Sequence, residues 1–404
     1  MTTATLARRS SAGVSSWPIA QVQAGLLATL FYVFGPVSLY FVTARAFAGE
    51  SVATSGFVVA FAASGAATAI LSVWSRQPVA MGWSLPGLVF MAASAQSYSV
   101  EEIAGAALVA SLAVLVLAAS GISTRVERLV PVPVAMALLA GSTLPLCIRP
   151  FAAMGNAPLI VAPVFAAFIF ASRSNRTRVP PAAVAVLAGL LPALILGPQV
   201  HGAAPAIAPG VHPLLPTPSL QAVISLAPPL TLFALIANAQ GKAVLQANGF
   251  EPPMRAVGIA SGMAGAFHSL FGAPPSSLQR VAMAVLSDDG AGEHDRRWIA
   301  AVTAALGCVA IAWLAAPLEA FTRSLDPAYV SAVAGVLLLK VLADALARSV
   351  GGRSMAGPLT LCVALSGLTM GGLSTEFWAL ATGCAVTLSE RAPQTQTPAL
   401  RPAS

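Results

Sequence analysis

Residues Phe271–Leu286 read FGAPPSSLQRVAMAVL. The stretch is apolar enough to lie in a membrane, yet it cannot be one unbroken helix. Pro274 and Pro275 have no backbone N–H, and Ala273, the residue before the pair, is pushed towards extended geometry. Ser276-Ser277 then reads as a cap, and Leu278–Leu286 can run on as a short helix. The alternatives are a Pro-kinked spanning helix or an outer loop. The favoured reading is an extended entry into a half-helix. A helix that starts inside a membrane leaves free N–H donors at its positive end in the interior. Such an end suits anionic or polar groups.

The rest of the chain supports a membrane setting. Of its 404 residues, 57% are hydrophobic and 9% charged, where a soluble domain carries roughly 25% charged. Almost every long segment is apolar, which points to an all-α protein crossing the bilayer many times. The net charge of +7 reflects basic loops and not nucleic-acid binding. Cys147, Cys308, Cys362 and Cys384 are scattered through apolar segments without a CxxC, and read as core filler, with no metal site and no disulfide. There is no Walker-type glycine loop, no HExxH and no Ser/His/Asp constellation, so neither an enzyme nor a cofactor is expected. The apolar run after the polar, basic residues 1–17 is too long for a signal peptide and counts as a first span.

Fourteen spans are expected. Seven lie at about 18–47, 51–74, 78–94, 103–122, 130–148, 157–171 and 180–196, with Arg149-Pro150 separating the fifth from the sixth. A charge-free loop rich in Pro, Ala and Gly follows, carrying His201 and His212. The other seven lie at about 220–246, 254–270, 271–286, 298–316, 329–346, 355–370 and 373–388. An odd number in each half inverts the second half relative to the first. The third span is also broken, at PVAMGWSLPG (Pro78–Gly87), in the place that corresponds to the tenth. Paired interrupted spans in an inverted 7+7 repeat are the pattern of secondary transporters, with the site near the bilayer midplane. Of the 21 Lys and Arg residues, Arg45, Arg149 and Arg323 fall in loops on one side and Lys242, Arg280 and Lys340 in spans. All the others fall on the opposite side, which makes both termini cytoplasmic.

Arg280 would lie one turn into the tenth half-helix. A charge there costs roughly 2.5–3.5 kcal/mol by insertion scales and needs a reason. It reads either as the counter-charge of an anion, its planar fork matching a carboxylate, or as a snorkelling arginine or one paired with Asp288 or Asp289. Lys242 reads as snorkelling. Asn238 and Gln240 are two residues apart on one helix and cannot face the same way. Trp83 is either a wall for a ring or packing between helices. Ser84, Ser276 and Ser277 are caps whose neighbouring N–H groups matter more than their hydroxyls. His268 reads as a structural histidine ahead of a proton shuttle. Lys340 and Asp344, at i,i+4, are expected to pair.

These residues resemble a known family. Trp83-Ser84-Leu85-Pro86-Gly87 is similar to the Trp-Ser-x-Pro-Gly signature of the benzoate:proton symporters, relatives of the uracil/xanthine permeases. Asn238-Ala-Gln-Gly-Lys-Ala-Val-Leu-Gln-Ala-Asn-Gly-Phe250 resembles the family's eighth span, with Gln240 where the family has Pro; Phe271-Gly272 opens the tenth as the family does. Ser277 stands where the family has Asn, and Gln279-Arg280 replace small residues. Ser276-x-x-x-Arg280 is similar to the sulfate-type anion permeases, which share the fold. The uracil/xanthine branch has acidic residues in spans eight and ten, and this chain has none there.

The resemblance implies a core domain of residues 18–122 and 219–316, a gate domain of 123–197 and 317–389, an extracytoplasmic loop of 198–218, and cytoplasmic tails of 1–17 and 390–404. It implies import of benzoate or a similar aromatic carboxylate across the inner membrane by proton symport. The site would hold Trp83, Ser84, Asn238, Gln240, Ser276, Ser277 and Arg280, with Asn238 favoured over Gln240 because it matches the motif. The partners are a small organic anion, protons and lipid, with a homodimer as a further option. Within the fold, the alternative is a permease for nucleobases or inorganic anions; outside it, a channel or scaffold.

Overall fold

A computed structural model describes residues 18–123, 132–173, 181–196, 210–350 and 354–391. The tails 1–17 and 392–404, His201, Arg125, Arg128, Arg176, Arg178 and Arg353 lie outside the described residues. The protein is mostly helical. The first half holds α1 (Ile19–Tyr32), a π-helical turn (Val33–Val37), α2 (Ser38–Ser75), β1 (Met81–Trp83), α3 (Leu85–Ser94), α4 (Val100–Ser120), α5 (Val132–Met154), α6 (Pro158–Arg173) and α7 (Pro181–Leu196). The second holds α8 (Leu220–Ala247), α9 (Met254–Ser269), β2 (Ser276–Leu278), α10 (Arg280–Leu286), α11 (Trp298–Trp313), α12 (Ala315–Ser324), α13 (Pro327–Val350), α14 (Ala356–Ser366) and α15 (Thr375–Arg391). Six helices among the described residues are long and apolar enough to cross a membrane alone: Phe47–Ser75, Val100–Ser120, Val132–Met154, Leu220–Ala247, His294–Trp313 and Pro327–Val350.

The breaks follow local chemistry. Pro36 has no N–H to donate, and the chain widens into a π turn around it. At Gly49 the backbone leaves helical geometry (φ 72°, ψ 177°), so α2 is two helices meeting at a kink, where the first and second spans were expected to part. Three sequence expectations fail here. Arg149-Pro150 does not separate two spans, because α5 runs through Pro150 to Met154, and the chain turns at Gly155-Asn156. Ser276-Ser277 is strand and not a helix cap, and α10 starts at Arg280 behind Gln279. Residues 315–324 form the amphipathic helix α12 where a loop was expected; Glu319 and Thr322 are on its buried face.

Close helix contacts rest on small residues. On α9, Gly258, Gly262 and Gly265 face Ala118, Leu115 and Ser111 of α4, the small-residue seam of membrane helix pairs. A Cβ at Gly262 would fall 2.6 Å from the backbone N of Leu115. No side-chain rotation relieves that contact, so the two helices must part. Gly262→Ala is expected to cost about 1–3 kcal/mol and to lower the melting temperature in detergent by several degrees. An unchanged melting temperature would show that α4 and α9 tolerate separation.

Candidate functional site

The two breaks meet. β1 and β2 pair antiparallel, with Met81 opposite Leu278, Gly82 opposite Ser277 and Trp83 opposite Ser276. The ladder continues past both ends: Ser84 N–H donates to the Pro275 carbonyl (2.7 Å) and Gln279 N–H to the Ala80 carbonyl (2.9 Å). Two isolated strands are marginal even in water, and inside a membrane each outer edge leaves polar groups that lipid cannot satisfy. Side chains from the flanking helices satisfy them. On the β1 edge, Thr68 Oγ1 accepts from Met81 N–H (2.9 Å) and donates to the Met81 carbonyl (3.3 Å). Ser72 Oγ donates to the Val79 carbonyl at 2.8 Å. On the β2 edge, Leu278 N–H donates to Asn238 Oδ1 at 2.9 Å, and Asn238 Nδ2 donates to Ser261 Oγ at 3.1 Å.

Both strands lead into helices. Ser84 caps α3, its Oγ accepting from Gly87 N–H at 3.1 Å, with Pro86 in the first turn. Gln279 precedes α10 without a side-chain cap. Its side chain folds back so that Nε2 donates to the Trp83 carbonyl at 2.9 Å. The bare Cα of Gly82 makes room for this; a Cβ there would fall 2.4 Å from Gln279 Cγ. The Trp83 ring packs edge-on against Tyr40 (centroids 5.2 Å) and near Phe61 (6.4 Å). The Tyr40 hydroxyl is buried without a hydrogen-bond partner among the described residues.

The expected site residues are not all equivalent. Trp83, Ser84, Ser276 and Ser277 are buried around the ribbon. The Ser276 hydroxyl is used up on the Gly82 carbonyl (3.2 Å). The Ser277 hydroxyl has no partner among the described residues. Asn238 is buried, but its amide is spent on Leu278 and Ser261. Gln240 is half-buried, with no hydrogen-bond partner among the described residues. Arg280, the first residue of α10, does not pair with Asp288 or Asp289; its Nη2 lies 3.5 Å from Asp344 Oδ2 on α13. Asp289 belongs to the buried Arg297 (2.8 Å) and Asp288 caps the turn at Gly290. The expected Lys340–Asp344 pair is absent among the described residues, since the carboxylate is drawn across to Arg280.

His268 serves the fold at this site: its Nδ1–H donates to the Pro274 carbonyl (3.0 Å) and fixes the extended entry. Sequence reasoning missed Thr68, Ser72 and Gln279. Polar residues at 68 and 72, one helical turn apart before a broken span, were the available signal.

A scan against protein families matches residues 15–388 to the family described as benzoate membrane transport protein. The chain is 24% identical over 385 residues to "Inner membrane protein YdcO" of Escherichia coli, covering 93% of this chain and 97% of that protein. It is 24% identical over 378 residues to the "Benzoate membrane transport protein" of Acinetobacter baylyi, covering 91% and 94%. Among solved structures, the transmembrane domain of the cyanobacterial bicarbonate transporter BicA matches with a TM-score of 0.60 at 13% identity, over 92% of this chain and 97% of that one. SLC26A9 matches with a TM-score of 0.60 at 13% identity, over 93% and 66%. The matched family, the Acinetobacter baylyi relative and the bicarbonate-transporter neighbour are membrane transporters and not enzymes. Because the family match takes in nearly the whole of the described fold, the chain belongs to the benzoate membrane transport protein family.

Proposed function

We propose that this protein imports benzoate or a similar aromatic carboxylate across the inner membrane, coupled to a proton. It does so as fourteen spans in a 7+7 inverted repeat with both termini cytoplasmic. Residues 18–122 and 219–316 form the core, and 123–197 and 317–389 the gate. The observation that carries the reading is the ribbon of β1 and β2, which brings both broken spans to one place with Arg280 next to it. The substrate carboxylate faces Arg280. The Leu85 N–H at the start of α3, left free among the described residues because Pro86 has no N–H and Ser84 caps Gly87, adds positive potential. The ring lies towards the aromatic group that includes Trp83, Tyr40 and Phe61. Asn238 holds the ribbon in place, and Gln240 lines the approach. Rocking of the core against the gate alternates access, and kinship with the uracil/xanthine permeases and a homodimer belong to the same proposal.

The test is uptake of labelled benzoate into proteoliposomes with and without a pH gradient. Gradient-driven accumulation is expected, and its absence for every aromatic acid tried would overturn the substrate class. Arg280→Ala is expected to weaken benzoate affinity by about tenfold or more, the scale of one lost charge-assisted hydrogen bond. Unchanged affinity would remove Arg280 from the site. A second reading, an inorganic-anion permease, is favoured by the fold shared with a bicarbonate transporter. Competition of bicarbonate, sulfate, uracil and benzoate for one site separates the two.

A further inference from the structure

The ion pair of Arg280 and Asp344 ties the ribbon to a helix outside it. Arg280 follows Leu278 of β2 by two residues, and Asp344 is on α13, which packs chiefly against α5. The contact is 3.5 Å, and the side chains are 40% and 43% exposed, so protein closes off neither group. Of the elements packed against α13, α5 brings Arg149, α6 brings Arg173, α2 brings Arg45 and Glu50, and α7 and α14 bring no charge. Only Arg280 is within ion-pair distance of Asp344 among the described residues. On α13 itself Lys340 and Arg348 are exposed one turn to either side. Glu319, an acidic group that is buried, is committed to Arg45 and Thr54.

Resting on the carboxylate reading above, we infer that Asp344 is the proton-binding group of the transport cycle, trading Arg280 with the substrate. In the empty carrier the guanidinium and the Asp344 carboxylate neutralise each other. An arriving carboxylate takes the guanidinium, for which both anions compete. Asp344 is then a negative charge without its ion-pair partner on a membrane-spanning helix, a costly state. It takes a proton from water, and its O–H bond removes the charge. The loaded carrier holds one carboxylate and one proton and has the same net charge as the empty one. On release the O–H bond breaks to water, the substrate leaves, and the Arg280–Asp344 pair re-forms. One proton crosses with each carboxylate.

The experiment uses the full chain in proteoliposomes with labelled benzoate. At one proton per carboxylate, a gradient of one pH unit sustains about tenfold accumulation, and wild type is expected to approach it. Asp344→Asn is expected to exchange labelled for unlabelled benzoate while its accumulation ratio falls to about one. Asp344→Glu is expected to restore accumulation. Wild-type accumulation by Asp344→Asn overturns the assignment, as does failure of Asp344→Glu to restore it. Loss of exchange in Asp344→Asn with benzoate binding intact by thermal shift also overturns it, because Asp344 would then serve movement and not proton uptake. A wild type that carries no aromatic carboxylate sinks the carboxylate reading itself, a different result from accumulation shared by wild type and Asp344→Asn.

Discussion

Asn238→Ala is expected to abolish most transport and to lower thermal stability together. The substitution strips the acceptor from Leu278 N–H at the outer edge of β2 and the donor from Ser261. An orphaned buried N–H costs about 1–3 kcal/mol, and lipid offers no replacement partner. The strand must then shift to find water, and Ser277, Gln279 and Arg280 shift with it. Uptake is expected to fall by about tenfold or more, with each 1.4 kcal/mol of lost positioning worth a factor of ten. Ser261→Ala provides the contrast. It leaves the Leu278 bond in place and removes the two Asn238–Ser261 contacts, of 3.1 and 3.4 Å, each worth about 0.5–1.5 kcal/mol at most, so most transport is retained. Equal and mild losses in the two variants would show that the β2 edge does not depend on Asn238.

Glu319→Ala is expected to loosen α12 from the kinked end of α2. Arg45 Nη2 donates to Glu319 Oε1 (3.1 Å) and to the Glu319 carbonyl (3.0 Å), and Thr54 Oγ1 donates to Oε2. Glu319 is 7% exposed. Removing one partner of a buried ion pair costs about 3–5 kcal/mol, and the lower end applies because Arg45 keeps the main-chain carbonyl. The neighbouring Arg323–Glu50 pair is half-exposed and adds little. Hydrogen exchange is expected to rise across 315–324 and around Gly49. Arg45→Ala/Glu319→Ala is expected to recover part of the loss, since no charge is left unpaired. A double variant as unstable as the sum of the single ones would show that the ion pair itself contributes nothing.

Much of this was legible in the sequence. The broken spans were readable because Pro78, Pro86, Pro274 and Pro275 interrupt runs that are otherwise continuous, and proline acts through its own backbone. The Gly49 break fell between two expected spans for a similar local reason. The pairing of the breaks was not readable, because two three-residue strands carry no periodicity and depend on partners far along the chain. Asn238 drew notice as a polar residue in an apolar run, yet its role depends on where Leu278 comes to lie. Pro150 misled because its lost donor at position 150 did not stop α5; neighbouring helices can support a proline inside a membrane helix. Asp344 was assigned the nearest positive charge along its own helix, and the fold offered a different one.

The Met81–Leu278 register also constrains how the protein is made. These residues are about 200 positions apart, so β1 leaves the ribosome long before β2 exists. Until then the Gly82 amide and carbonyl lack their strand partner in a medium that offers no substitute. The first half therefore waits as an incomplete insertion intermediate, and its maturation is timed by delivery of the second. Contacts so distant along the chain form late and slowly. Truncated chains ending before residue 276 should accordingly be recognised by membrane quality control as unfinished, while the two halves synthesised as separate polypeptides should each be rescued by the other.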